Sequence, residues 1–382
     1  MTGIAIICEY NPFHRGHLRQ LEFLRGRFPD ACLTAVLAGS FVQRGEPAAL
    51  SKYDRAWAAV RCGADFAVEL PFPWSAQGAA FYAAAGVSIA ERIGCGYLCF
   101  GSETGVLDPL SRAAERMETP EFAGALSRTE SSGLRSPSSH IAAVRGAYLA
   151  LYGEELPAGA NDTLAIEYLR AAGRSSRLTP ICIKREGGYT ATAARGYLRE
   201  GDAENLRRVT PEALHDYYGG KRPVTAEPLG GVILNFFRTH PQSELARYAD
   251  LGGGIAGRLC SASREAADYT EFIKFAGTKK YTDSRLRRAA LSALLGVYEE
   301  DLADPPEFTS LLCANRRGVR FLRTAKKRGE IIILTRPSDG KALEGKAAKQ
   351  FGLSLRADEL WALAAGESPA NQMRKGPSII DV

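Results

Sequence analysis

Ile4-Ala5-Ile6-Ile7-Cys8-Glu9-Tyr10-Asn11-Pro12-Phe13-His14-Arg15-Gly16-His17 decides how the rest of this chain is read. A short β-branched apolar run closed by an Asn-Pro turn predicts a buried parallel strand, and Leu18, Leu21 and Leu24 follow at helical spacing. Two histidines therefore fall where a strand turns into a helix. The free N–H groups of a helix start and the helix dipole both favour an anion there. With Gly16 letting a polyphosphate approach the backbone, His14 and His17 are candidates to hold phosphate oxygens as charge develops during displacement at phosphorus. Two histidines three apart also suit plain capping of a solvated helix end.

The pattern continues outward. Leu33–Leu37 reads as a second strand running into Gly39-Ser40-Phe41-Val42-Gln43-Arg44-Gly45-Glu46-Pro47, a loop at the edge of a parallel sheet where ligands sit. A helix over Lys52–Cys62, a strand over Asp65–Leu70, a helix over Ser75–Ile93 and a strand at Tyr97–Phe100 follow. Residues 106–157 read as mostly helical, Asn161-Asp162 as the N-cap of a helix through Tyr168, and Thr179–Ile183 as the last core strand. Strands alternating with helices call for a doubly wound α/β domain with right-handed crossovers. Beyond Glu200 amphipathic helical segments dominate, apart from an apolar Ile331–Leu334. The boundary falls near residue 205, dividing a catalytic unit (1–205) from a mainly helical, basic one (206–382).

At 382 residues, with 45% apolar and 24% charged residues, the composition is that of a soluble globular enzyme of two or three domains. The apolar runs are too short to span a bilayer, so a cytoplasmic protein without membrane contact is expected. Eight cysteines scattered singly fit reduced thiols. Cys95 and Cys99 have no visible partners for a metal, and no metal-ligand cluster is evident. The net charge of +6 lies mostly in the second half. It gathers at Lys279, Lys280, Arg285, Arg287 and Arg288, and again between Arg316 and Arg328. Such runs make either a solvated helix face or a surface that follows a nucleic-acid backbone.

His14-Arg15-Gly16-His17 resembles the His-x-Gly-His signature of the nucleotidyltransferase superfamily, whose fold is a Rossmann-like α/β sheet. The chain is more specifically similar to the bacterial tRNA(Met) cytidine acetate ligase family. That likeness is carried by Glu9–His17, Phe41–Ala48, Gly63-Ala64-Asp65, Val68–Pro73, Phe100–Glu103, Asn161-Asp162 with Ile166–Leu169, Ile183-Lys184-Arg185 and Thr278–Tyr281. Gly39-Ser40-Phe41 and Thr190-Ala191-Thr192-Ala193-Ala194-Arg195 depart from the family pattern.

The resemblance implies an ATP-dependent ligase that activates acetate as acetyl-adenylate and passes the acetyl group to N4 of the wobble cytidine of elongator tRNA(Met). By motif position, Ile7, Cys8, Glu9, Tyr10, Asn11, Pro12, Phe13, His14, Arg15, Gly16, His17, Leu18, Arg19 and Gln20 would embrace ATP, with His14 and His17 catalytic on the phosphates. Gly101, Asn161 and Arg185 would complete the ATP site, and Arg195 would match the superfamily's closing arginine. ATP is expected as Mg-ATP, since Mg²⁺ binds mainly through phosphates. Lys279, Lys280, Arg287 and Arg288 are the candidates for the tRNA backbone. Two other readings compete: a generic adenylyltransferase acting on a small phosphorylated acceptor, and a non-catalytic RNA-binding protein with a relic nucleotide site.

Overall fold

The computed structural model describes residues 1–131, 140–175, 177–185 and 187–381. Part of the helical reading at 106–157 and Glu186 therefore lie outside the described residues. β1 (Gly3–Cys8) is buried on both faces, and its side chains alternate as a strand's must. Ile4 and Ile6 face a core formed with α1 (Arg15–Arg27) and α2 (Lys52–Arg61), while Ala5 and Ile7 face α3 (Ala79–Arg92) on the other side. A Cβ on Gly86 of α3 would meet Ile7 at 2.7 Å, so a glycine is what lets this helix lie against β1. β2 (Cys32–Ala38) and β3 (Phe66–Leu70) are buried throughout, as continuous apolar runs in a doubly covered parallel sheet should be.

With β4 (Tyr97–Ser102), β5 (Thr179–Lys184), β6 (Phe308–Ala314) and β7 (Ile332–Leu334), the sheet order is β5-β4-β1-β2-β3-β6-β7. The first five strands are parallel. The order reverses between β1 and β4, which opens a crevice at the carboxyl ends of those strands.

The second half of the chain differs from its sequence reading. It is helical up to residue 302, but the strand–helix rhythm then resumes. β6 pairs antiparallel with β3, and β7 and the short β8 (Ser378–Ile379) pair parallel with β6. Thr179–Lys184 is thus an edge strand and not the last of the sheet. Thr309 and Ser310 interrupt the apolar run of β6. Thr309 is accommodated because its hydroxyl donates to the Glu69 carbonyl at 2.6 Å.

The helix Gly345–Ala364 returns over the loop that follows β2. Trp361 Nε1 donates to the Ala48 carbonyl at 2.7 Å. Asp358 pairs with buried Lys52 at 2.7 Å, and Lys52 also reaches Glu69 at 2.8 Å. Desolvation opposes the Lys52 charge, but the two carboxylates outweigh it and hold the ammonium protonated. Residues far apart in sequence therefore fix the carboxyl edge of the sheet together. Among the described residues no helix is long and apolar enough to cross a membrane.

Candidate active site

A cleft of about 790 Å³ opens at that edge. On its floor, two residues beyond the end of β1, Tyr10 takes a left-handed backbone (φ 44°) and is buried. This turn throws the chain over into α1 and packs the Tyr10 ring against His17 and Phe13, with centroids 4.7 and 4.8 Å apart. His14 caps α1: its Nδ1 accepts the Gly16 N–H at 3.1 Å, and His17 Nδ1 accepts the His14 N–H at 3.2 Å. With both Nδ1 atoms acting as acceptors, each neutral ring carries its proton on Nε2. Burial, aided by the Arg185 charge, pushes His14 down to about 4 and His17 well below the ordinary range. The pair therefore presents two uncharged N–H donors at neutral pH. Capping uses one nitrogen of each ring and leaves the other without a capping role, and both residues line the cleft.

The wall on the β4–β5 side carries Gly101, Asn161 and Arg185. A Cβ on Gly101 would meet Arg185 Cγ at 3.0 Å, so the glycine lets the arginine stem lie across β4. Arg185 Nη1 donates to Asn161 Oδ1 at 2.8 Å. The sequence placed Asn161-Asp162 as a helix cap; in the structure the helix Ala160–Ser175 begins one residue earlier and its cap comes from elsewhere. The Glu103 carboxylate accepts the backbone N–H groups of Asn161 at 3.2 Å and Asp162 at 2.8 Å. Burial resists this, yet hydrogen bonds from Asn161 and Asp162 hold the Glu103 carboxyl below its usual range. Asn161 is thereby released from capping and holds Arg185 instead.

The opposite flank is the loop after β2. The Gln43 N–H is held by the Glu9 carboxylate at 3.0 Å, and its carbonyl accepts Arg288 Nη1 at 3.4 Å. Arg287 pairs with Glu46 at 3.0 Å. Gly45 has φ 75°, and a Cβ there would meet the Arg288 backbone at 2.7 Å. Beneath the loop lies Arg55, fully buried, which donates to the carbonyls of Glu9, Ala38, Gly39 and Leu50 and ties the ends of β1 and β2 together. Across the mouth Arg195 Nη1 donates to the Asn11 carbonyl at 2.7 Å, and Thr190 caps the helix Ala191–Glu200.

Most of the residues expected at the nucleotide converge here: Ile7, Cys8, Glu9, Tyr10, Asn11, His14, Gly16, His17, Arg19, Gln20, Gly101, Asn161 and Arg185 line the cleft. Pro12, Phe13, Arg15 and Leu18 do not. Phe13 is fully buried in the core, Leu18 packs beside it, and Arg15 donates to the Arg208 carbonyl at 3.0 Å. The four basic candidates for RNA separate into two pairs. Lys279 and Lys280 are exposed, whereas Arg287 and Arg288 are half-buried braces of the Gln43–Glu46 loop. Tyr82, Tyr168 and Leu164 also line the cleft and were not singled out from sequence. The block Ile166–Leu169 that contains Tyr168 was the available signal.

The strand-turn-helix that carries His14 and His17 lies at the switch point of a doubly wound sheet, and a family model described as HIGH Nucleotidyl Transferase matches residues 1–375, which places the chain among nucleotidyl transferase-type proteins. Two curated relatives, both called tRNA(Met) cytidine acetate ligase, extend the likeness. That of Syntrophotalea carbinolica is 32% identical over 94% of this chain and 92% of its own length. That of Kosmotoga olearia is 31% identical over 91% and 88%. The crystal structure of Thermotoga maritima TmcAL bound with alpha-thio ATP superposes with a TM-score of 0.89 at 26% identity, covering both chains in full. The chain belongs to the tRNA(Met) cytidine acetate ligase family.

Proposed function

We propose that this chain joins acetate to the N4 amine of the wobble cytidine of elongator tRNA(Met) in two steps that share the cleft, with ATP as the activating substrate. The observation that carries the reading is the pair of neutral Nε2–H donors on His14 and His17, facing a wall that holds Arg185. In the first step an acetate oxygen attacks the α-phosphorus of ATP, the bond to the bridging oxygen breaks, and pyrophosphate leaves. Acetate is already an anion, so this step asks for alignment and charge stabilisation and not for a base. His14 and His17 would donate to the phosphate oxygens as charge moves onto them, and Arg185 would add a full positive charge fixed by Asn161. In the second step N4 attacks the acyl carbon of acetyl-adenylate, AMP leaves with the bonding pair, and the amine proton passes to water.

Mg²⁺ would enter with the nucleotide and be held chiefly by its phosphates. Among the described residues no three His, Cys, Asp or Glu side chains converge to hold a metal. The tRNA is assigned mainly to residues 206–382 and the ATP chemistry to residues 1–205. Pyrophosphate release measured with ATP and acetate, with and without tRNA(Met), tests the reading. Acetate-dependent release supports it; release that requires a small phosphorylated acceptor supports the generic adenylyltransferase, and no release with retained tRNA binding supports the relic nucleotide site.

A further inference from the structure

We infer that Gln43 is the residue that holds the carboxylate of the acid substrate and aims it at the α-phosphorus, an assignment that rests on the acetate reading above. Gln43 lines the cleft, and its side-chain Nε2 is buried without a hydrogen-bond partner. The backbone on either side of that amide is fixed, by Glu9 at the N–H and Arg288 at the carbonyl. The backbone that carries the side chain is therefore held, while the side-chain amide donor is left without an acceptor. A buried N–H without an acceptor is destabilising, and a ligand oxygen removes the penalty.

Position selects the ligand. Gly101, Asn161 and Arg185 occupy the β4–β5 side of β1, whereas Gln43 stands on the β2 side. An in-line displacement needs the attacking oxygen on the side of phosphorus opposite the leaving pyrophosphate. Gln43 as a whole is half-buried, and it is the donor end of its amide that is withdrawn from water. Rotation of the amide about its own side-chain bonds brings this donor to a small acid lying in the cleft that Gln43 lines.

The choice of an amide also suits the chemistry. A guanidinium would pair with both carboxylate oxygens and weaken the nucleophile, whereas one neutral N–H fixes one oxygen and leaves the other to attack. The flank tolerates the substrate's charge, because Arg44, Arg55 and Arg195 all bear electrostatically on Glu9 at this point.

Acetate-dependent exchange of labelled pyrophosphate into ATP, measured without tRNA at varied acetate and varied ATP, tests the assignment. In Gln43→Ala the KM for acetate should rise at least tenfold while the KM for ATP stays within twofold of wild type. In Gln43→Glu, a carboxylate facing a carboxylate, saturation by acetate should be lost. An acetate KM within twofold of wild type in both variants overturns the assignment. So does a parallel rise for acetate and ATP, which would mean collapse of the loop. Absence of acetate-dependent exchange in the wild-type protein overturns the acetate reading itself and this assignment with it.

Discussion

His14 and His17 lie ring on ring, their centroids 3.7 Å apart and their planes 22° from parallel, and each Nδ1 is occupied by a backbone N–H of the same helix start. One hydrogen-bonded turn thus sets the tautomer of both rings and aims both remaining N–H groups together. Burial, with the Arg185 charge, suppresses protonation of both rings, and for His17 the neighbouring His14 adds to it. The site offers dipoles at this point and leaves full charge to Arg185.

His17→Ala should lower acetate-dependent AMP formation by at least about tenfold, equivalent to about 1.4 kcal/mol of barrier. The substitution also removes the acceptor for the His14 N–H, a capping loss of about 1 kcal/mol. The melting temperature should therefore fall by only about 2 °C. A smaller loss of rate in a protein whose melting temperature falls no further than this would remove His17 from the chemistry.

Arg185→Ala should weaken ATP binding through loss of a charge-assisted phosphate contact. Asn161→Ala should weaken it less, because the arginine remains but is no longer held. If Asn161 acts through Arg185, the double variant should bind ATP no worse than Arg185→Ala alone. Calorimetric titration of the three proteins reads this directly, and strictly additive losses would mean that Asn161 meets the nucleotide independently.

The sheet was readable where the chain is almost continuously apolar, Thr34 being the one interruption in the runs that follow. Ile4–Cys8, Leu33–Leu37 and Tyr97–Phe100 are runs that only a doubly covered strand explains, and their boundaries shift by no more than two residues. β6 was not readable, because Thr309 and Ser310 look like loop residues until Glu69 is known to lie opposite. The same limit applies in the site. His14, Gly16 and His17 act within one turn and so carry their own signal. The Glu103 cap on the helix of Asn161, and the clasp of Arg287 and Arg288 on Glu46 and Gln43, join residues remote in sequence. A cluster of basic residues shows in the sequence; the carboxylate that one of them answers does not.

Burial has a consequence for pH. His14 titrates in the folded protein at about 4, below its ordinary 6.5, so between those values the unfolded chain binds more protons than the folded one. Stability should accordingly be full above about pH 6.5 and fall as pH drops toward 4, by about 3 kcal/mol from His14 alone. Denaturant midpoints across this window should lose that slope in His14→Ala. The rate of adenylate formation should show no imidazole inflection between pH 6 and 8, and an inflection near 6.5 that disappears with His14 would contradict the neutral-donor assignment.

The two basic pairs should behave differently, and the difference separates structure from recognition. Arg287 and Arg288 brace the loop that carries Gln43, so Arg287→Ala with Arg288→Ala should slow adenylate formation even when no tRNA is present. Lys279 and Lys280 are exposed, and Lys280 is placed over the Tyr281 ring at 5.2 Å. If they follow the tRNA backbone, neutralising both should leave the tRNA-independent step untouched while weakening tRNA binding. It should also flatten the salt dependence by about one unit of slope per lost phosphate contact. Affinity for tRNA at two salt concentrations and pyrophosphate exchange without tRNA, measured on both double variants, give the answer. Parallel salt slopes for wild type and the lysine variant would place the tRNA elsewhere, and unimpaired exchange in the arginine variant would remove the loop brace from the mechanism.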